Sequence, residues 1–211
     1  MKKVLYVFLL MCVCVPRAAS AHQPRIVDSV QSVAVQNPEI SQAFYGELTG
    51  TSTVYTFTSG KVFILYANLM SPVVPGAHKD FSAAMYKDGI FLAKLAPEYS
   101  PWDLWYEEFA GDDYFRGPEF RATTTPGVYE IRVDNDSHSG KYVLAIGEIE
   151  SFPFVESVNT IARLPALKAF FGKPWYAMFE GKIGNGLVLG GVAIVIMILG
   201  GVWVLITRYK R

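Results

Sequence analysis

Residues 53–68, TVYTFTSGKVFILYAN, place two runs of aromatic and β-branched residues on either side of a Ser59-Gly60 break. Such residues suit a pleated, half-buried surface, and glycine supplies the backbone freedom of a tight turn. The stretch therefore reads as a strand over Thr53–Thr58, a turn, and a strand over Val62–Met70. The same texture continues outward: Phe44–Leu48, Phe81–Tyr86, Ile90–Leu95, Glu119–Thr123, Gly127–Val133 and Lys141–Gly147 are further runs, with a weaker one in Ser32–Gln36. Lys87-Asp88-Gly89, Pro126-Gly127 and Ser139-Gly140 separate them, and Asp88-Gly89 is a hairpin signal. Tyr129, Ile131 and Val133, then Tyr142, Leu144 and Ile146, are apolar at period two. Short strands spaced by roughly ten residues predict a mainly β fold, an antiparallel, jelly-roll-like β-sandwich.

Three segments carry a resemblance. TVYTFTSGKVFILYAN, AMYKDGIFLAKL and TTTPGVYEIRVDNDSHSGKYVLAIGE resemble the bacterial pre-peptidase C-terminal type of β-sandwich module, over roughly Ala43 to Glu148. That family has an aromatic strand after a Y-x-F start, a Y-x-D-G hairpin, and a closing pair of the form G-x-Y-x-(I/V)-x-V and G-x-Y-x-L. The segment between Leu95 and Thr123 departs from the short family pattern. The whole chain also resembles a group of prokaryotic proteins built as signal, sandwich and single anchor. The resemblance implies a non-catalytic accessory or binding module and names no ligand.

The two ends decide the layout. Met1 to Ala21 reads as a secretory signal, with Lys2 and Lys3, an apolar Val4–Val15 core and an Ala19-Ser20-Ala21 cleavage pattern. Near the other end, Leu187–Ile206 (LVLGGVAIVIMILGGVWVLI) carries no charge, and about 20 residues of helix cross a hydrocarbon core. The expected division is a signal peptide at 1–21, an exported sandwich at 22–150, a helical and aromatic stalk at 151–183, a transmembrane helix at 184–207 and a basic tail at 208–211. Arg208, Lys210 and Arg211 mark the cytoplasmic side. The expected location is thus the cell membrane, as a single-pass type I protein with its N-terminal domain extracytoplasmic. In the stalk, Phe154, Val155, Val158, Ile161 and Ala162 fall at helical spacing. Pro165 can open a second short helix carrying Leu167, Phe170 and Phe171. Trp175, Tyr176 and Phe179 suit the headgroup level. This segment either lies partly on the outer membrane surface or packs back onto the sandwich. Within the span, Gly186, Gly190, Ala193 and Gly200 permit close helix packing.

The chain of 211 residues balances 19 basic against 19 acidic groups, which gives no case for nucleic acid. Cys12 and Cys14 lie in the leader, so the mature chain has neither thiol nor disulfide. His22, His78 and His138 are scattered outside metal-ligand spacing, and neither a G-x-S-x-G nor an H-E-x-x-H motif occurs. A non-enzyme is expected. Binding has two candidates. Residues 99–120, YSPWDLWYEEFAGDDYFRGPEF, crowd aromatics with carboxylates, and Trp102, Trp105, Tyr106, Asp112, Asp113 and Tyr114 form the candidate contact surface. The rival reading makes these aromatics plug one end of the sandwich. Gly111 and Gly117-Pro118 read as turns. Asp134 and Asp136 are candidate calcium ligands, the sole cofactor considered, although Ser139 and Ala145 break the EF-hand pattern. The expected function is display of a module that binds a partner protein, a surface polymer or an ion. The alternative is an accessory subunit of a larger membrane complex, assembled through the Gly-rich helix and stalk. Lipid bilayer and another membrane or surface protein are the expected partners.

Overall fold

A computed structural model describes residues 22–27 and 31–209. The expected signal peptide and the tail residues Lys210 and Arg211 lie outside the described residues. Eleven strands follow in order: β1 Gln23–Ile26, β2 Ser32–Ala34, β3 Gln42–Thr49, β4 Thr53–Ser59, β5 Phe63–Pro72, β6 Ser82–Lys87, β7 Ile90–Leu95, β8 Asp103–Glu107, β9 Asp112–Thr124, β10 Gly127–Asp134 and β11 Ser139–Ile146. A six-stranded sheet has the order β1-β3-β11-β5-β9-β8, and a five-stranded sheet the order β2-β4-β10-β6-β7. They stack as the expected sandwich, and helices α1 (Phe154–Phe170) and α2 (Gly181–Tyr209) follow.

Most neighbours are antiparallel, but β1 pairs with β3 and β2 with β4 in parallel, so both sheets are mixed. These marginal strands are short, QPRI and SVA. Backbone pairing holds them, as where Val27 N–H donates to Tyr45 O at 2.8 Å and Val35 N–H to Thr56 O at 2.8 Å. The Leu95–Thr123 segment, with its one expected run at Glu119–Thr123, forms a β8–β9 hairpin. Gly117-Pro118 is a bulge inside β9, not a turn. The register with β5 shifts there, and Asn68 Nδ2 donates to both Gly117 O and Pro118 O at 3.1 Å. The Asp88-Gly89 turn forms as expected, with φ of 50° and 78°.

Alternation puts Tyr55, Phe57, Tyr129, Ile131 and Val133 into the inter-sheet core beside Leu65, Tyr142, Leu144 and Ile146. Aromatic edges fill it, and the Tyr55 and Tyr142 hydroxyls satisfy one another at 2.9 Å. The six-stranded sheet is buried on its other face as well. There Ala43, Tyr45, Met70, Tyr114, Val143 and Ala145 meet Leu164, Leu167 and Phe171. The inner face of α1 is thus packed back on the sandwich.

Helix α1 runs unbroken through Pro165 rather than restarting there. Proline lacks the N–H that would reach the Ile161 carbonyl. Burial of Leu164 and Leu167 on either side holds the helix against that loss. Pro165→Ala should therefore stabilise the protein by about 1–3 kcal/mol, read as a higher denaturant midpoint for the full-length chain in detergent.

Among the described residues, one helix is long and apolar enough to cross a membrane, over Gly181–Thr207, and its apolar window is 0% buried by the rest of the chain.

Candidate interaction surface

Both sheets end on the same flank of the sandwich. β7 is the outer strand of one and β8 of the other, and β7 contacts β9 across the layer gap. An outer strand leaves one row of backbone N–H and C=O groups unpaired, a ready template for another strand. These two also carry bare apolar side chains: Ile90 is 73% exposed, Phe91 59%, Leu104 68% and Tyr106 50%. The hairpin turn at Asp88-Gly89 sets β7 there, and Asp88 Oδ1 accepts from Val128 N–H at 2.8 Å to fix that turn to β10. That backbone hydrogen bond holds the Asp88 carboxyl below the usual range.

The residues expected to form the contact surface divide. Tyr106 is on this flank. Trp102 turns inward and packs against the inter-sheet core, with its buried Nε1 lacking a hydrogen-bond partner among the described residues. Trp105 packs on the ring of Tyr114, with ring centroids 5.7 Å apart. Tyr114 is buried beneath α1, its hydroxyl 2.9 Å from that of Tyr45. Asp113 is half-buried. Asp112 is fully buried: Oδ2 accepts from Lys168 Nζ at 2.8 Å and Oδ1 from Lys173 Nζ at 2.9 Å. Ile90, Phe91 and Leu92 lie outside the stretch expected to make contact, and Leu104 lies inside it without being singled out. Their runs, IFL and DLW, show apolar content without showing which face is uncovered.

The turn between β8 and β9 is a polar knot. The Glu107 carboxylate accepts from Phe109 N–H and Ala110 N–H at 2.7 Å each. Burial raises its pKa, and these two donors oppose the rise. Lys168 Nζ also donates to Ala110 O at 2.6 Å, and Lys173 Nζ to Gly111 O at 3.0 Å. Burial works against the charge on Lys173, but Asp112, with Glu180 and Asp113 behind it, outweighs that and the pKa rises. On the far side, the first amides of α2 use the same turn. Lys182 N–H donates to Glu108 O at 2.8 Å and Ile183 N–H to Phe109 O at 3.0 Å. Helix N-termini leave such donors unpaired, so the hairpin caps the apolar helix.

Asp134 accepts from Asn135 N–H at 2.9 Å and lies 2.6 Å from His138 Nδ1, while Asp136 is exposed. No group of three or more His, Cys, Asp or Glu is placed to hold a metal ion among the described residues. His78 pairs instead with Asp80 at 3.4 Å. His22 sits against Ser41, and burial, helped by the Arg116 charge, lowers its pKa to about 4. A Cβ built at Gly186, Gly190 or Gly200 would meet nothing within 4 Å, and Ala193 is half-buried on the same helix. That helix face is uncovered.

No protein-family model matches this sequence, and neither does any curated protein sequence. Solved structures similar to it include the pre-peptidase C-terminal domain of a collagenase from Bacillus anthracis, at 10% identity and a TM-score of 0.34, covering 61% of this chain and 98% of that one. The periplasmic g-type lysozyme inhibitor PliG of Aeromonas hydrophila matches at 14% identity and a TM-score of 0.38, covering 59% and 97%. Its Salmonella Typhimurium counterpart matches at 16% and 0.31, covering 56% and 98%.

Proposed function

We propose that the chain is a single-pass type I membrane protein displaying a non-catalytic sandwich that binds a partner protein through its β7–β8 flank. The observation that carries this reading is the coincidence of two unpaired strand edges with exposed Ile90, Phe91, Leu104 and Tyr106 on one side. Strand addition supplies main-chain hydrogen bonds, and the alternate apolar side chains supply selectivity. Lipid covers the otherwise bare α2, and the basic residues after it hold the tail in the cytoplasm. The uncovered Gly186, Gly190 and Gly200 support a second reading, an accessory subunit that packs through α2.

Quantitative capture from gently solubilised membranes separates the two. Phe91→Lys combined with Leu104→Lys is expected to weaken partner retention by about tenfold or more, as loss of an interface anchor does. Gly190→Leu is expected to leave it unchanged. The reverse pattern favours the subunit reading, and loss in neither variant removes both surfaces from consideration.

A further inference from the structure

Helix α1 is apolar on both sides. Its inner side meets the six-stranded sheet, and its outer side presents Phe154, Val155, Val158, Ile161, Ala162 and Ala166, all exposed. A helix facing water on one side ordinarily carries charge there. This outward stripe carries none, and Phe154 is 82% exposed, Val155 68% and Val158 48%.

Its position says what covers it. The Phe152 ring, just before α1, lies 5.8 Å from that of Phe109. Lys168 and Lys173, at the other end, hold Ala110 and Gly111. Both flanks of α1 thus reach the one turn that receives the first amides of α2. Between them, Thr160, Leu164 and Leu167 line a small apolar cleft together with Ile183 of α2. Helix α1 therefore lies across the level at which α2 leaves the sandwich. The link between the helices is the 3₁₀ turn Trp175–Phe179. It exposes Trp175 at 63% and Tyr176 at 61%, the residue types that settle among lipid headgroups.

We infer that the outer stripe of α1 and the Trp175–Tyr176 turn lie in the headgroup boundary of the outer leaflet, so that the sandwich rests on the bilayer instead of standing clear of it. This rests on the reading of α2 as the membrane span. An uncharged helix face held beside the start of a spanning helix gains from insertion to the acyl boundary.

Beyond Cys12 and Cys14 the chain has no cysteine, so single spin labels can be placed at will. The full-length protein is reconstituted in phosphatidylcholine–phosphatidylglycerol vesicles with a label at Val158→Cys, at Val195→Cys in α2, or at Val128→Cys on β10. Collisions with oxygen, which partitions into lipid, are compared with collisions with a water-soluble nickel chelate. The expected result is oxygen over nickel at positions 158 and 195, and nickel over oxygen at 128. Nickel access at 158 with lipid access at 195 overturns the inference and leaves the span standing. Shielding of 158 from both reagents overturns it in favour of a protein cover. Nickel access at 195 overturns both readings.

Discussion

Asp112→Ala is expected to destabilise the protein by about 3–5 kcal/mol, the cost of stranding a buried charge. The measurement is the urea midpoint of the full-length chain in detergent. Asp112 and Lys168 are both 0% exposed, and the pair spans 56 residues of sequence. Without the carboxylate, Lys168 Nζ keeps only carbonyl partners at Ala110 and Gly111 and its buried charge loses its counter-ion. Lys173 is half-exposed and can turn to water, so it adds little to the loss. Removing both members changes the arithmetic. Asp112→Leu with Lys168→Met replaces the ion pair by apolar volume, and should recover much of the loss, because an apolar pair is often as stable as a buried bridge. A double variant no better than Asp112→Ala would show that the carboxylate works through the turn backbone instead of through Lys168.

The second large effect is expected at Gly111. Its φ is +81°, and a Cβ there would lie 2.8 Å from Gly181 N and 3.1 Å from Glu180 C. Gly181 is the reciprocal case, with φ +69° and a Cβ that would meet Gly111 N at 2.6 Å. Backbone blocks both sites, so no side-chain rotation relieves the contact. Gly111→Val adds left-handed strain of about 1–2 kcal/mol and forces the hairpin away from α2. The Lys182 and Ile183 amides then lose their acceptors, at about 1 kcal/mol each. Their hydrogen exchange in detergent should quicken by about 30-fold or more. Amides of β11 around Tyr142 and Leu144, deep in the sandwich, should keep their protection. Uniform acceleration in both places would mean that the hairpin and the core open together.

Much of the sandwich is legible because Tyr55 and Phe57, and Tyr129, Ile131 and Val133, alternate against polar neighbours across a layer covered on one side. The docking of α1 has a signal too, in the unbroken run Val143-Leu144-Ala145-Ile146, all at 0% exposure. A strand without alternation is buried on both faces. β2 falls inside the weak run Ser32–Gln36 and sets Val33 against the core, whereas β1 has no such signal, since the polar QPRI owes its place to backbone pairing. The acidic stretch around Asp112 reads as solvated in sequence because its two lysines lie 56 and 61 residues away. Of the aromatic residues singled out in sequence, Tyr106 is exposed on the β7–β8 flank. Ile90 and Phe91 carry no such signal, because only the strand order shows that no strand among the described residues pairs beyond β7.

The meeting of Gly111 with Gly181 fixes a heading. A domain on a slack tether explores a hemisphere, and each encounter with a neighbour begins from a random orientation. Here the chain reaches α2 by way of α1, and two backbone hydrogen bonds and a glycine contact clamp the start of α2 to the β8–β9 turn. On a membrane, the β7–β8 flank would therefore keep one height and one tilt, leaving rotation about the bilayer normal as the main angle to be searched. Docking rates are limited by orientation, so two such molecules, or one and a similarly anchored partner, would meet as gears on parallel shafts do.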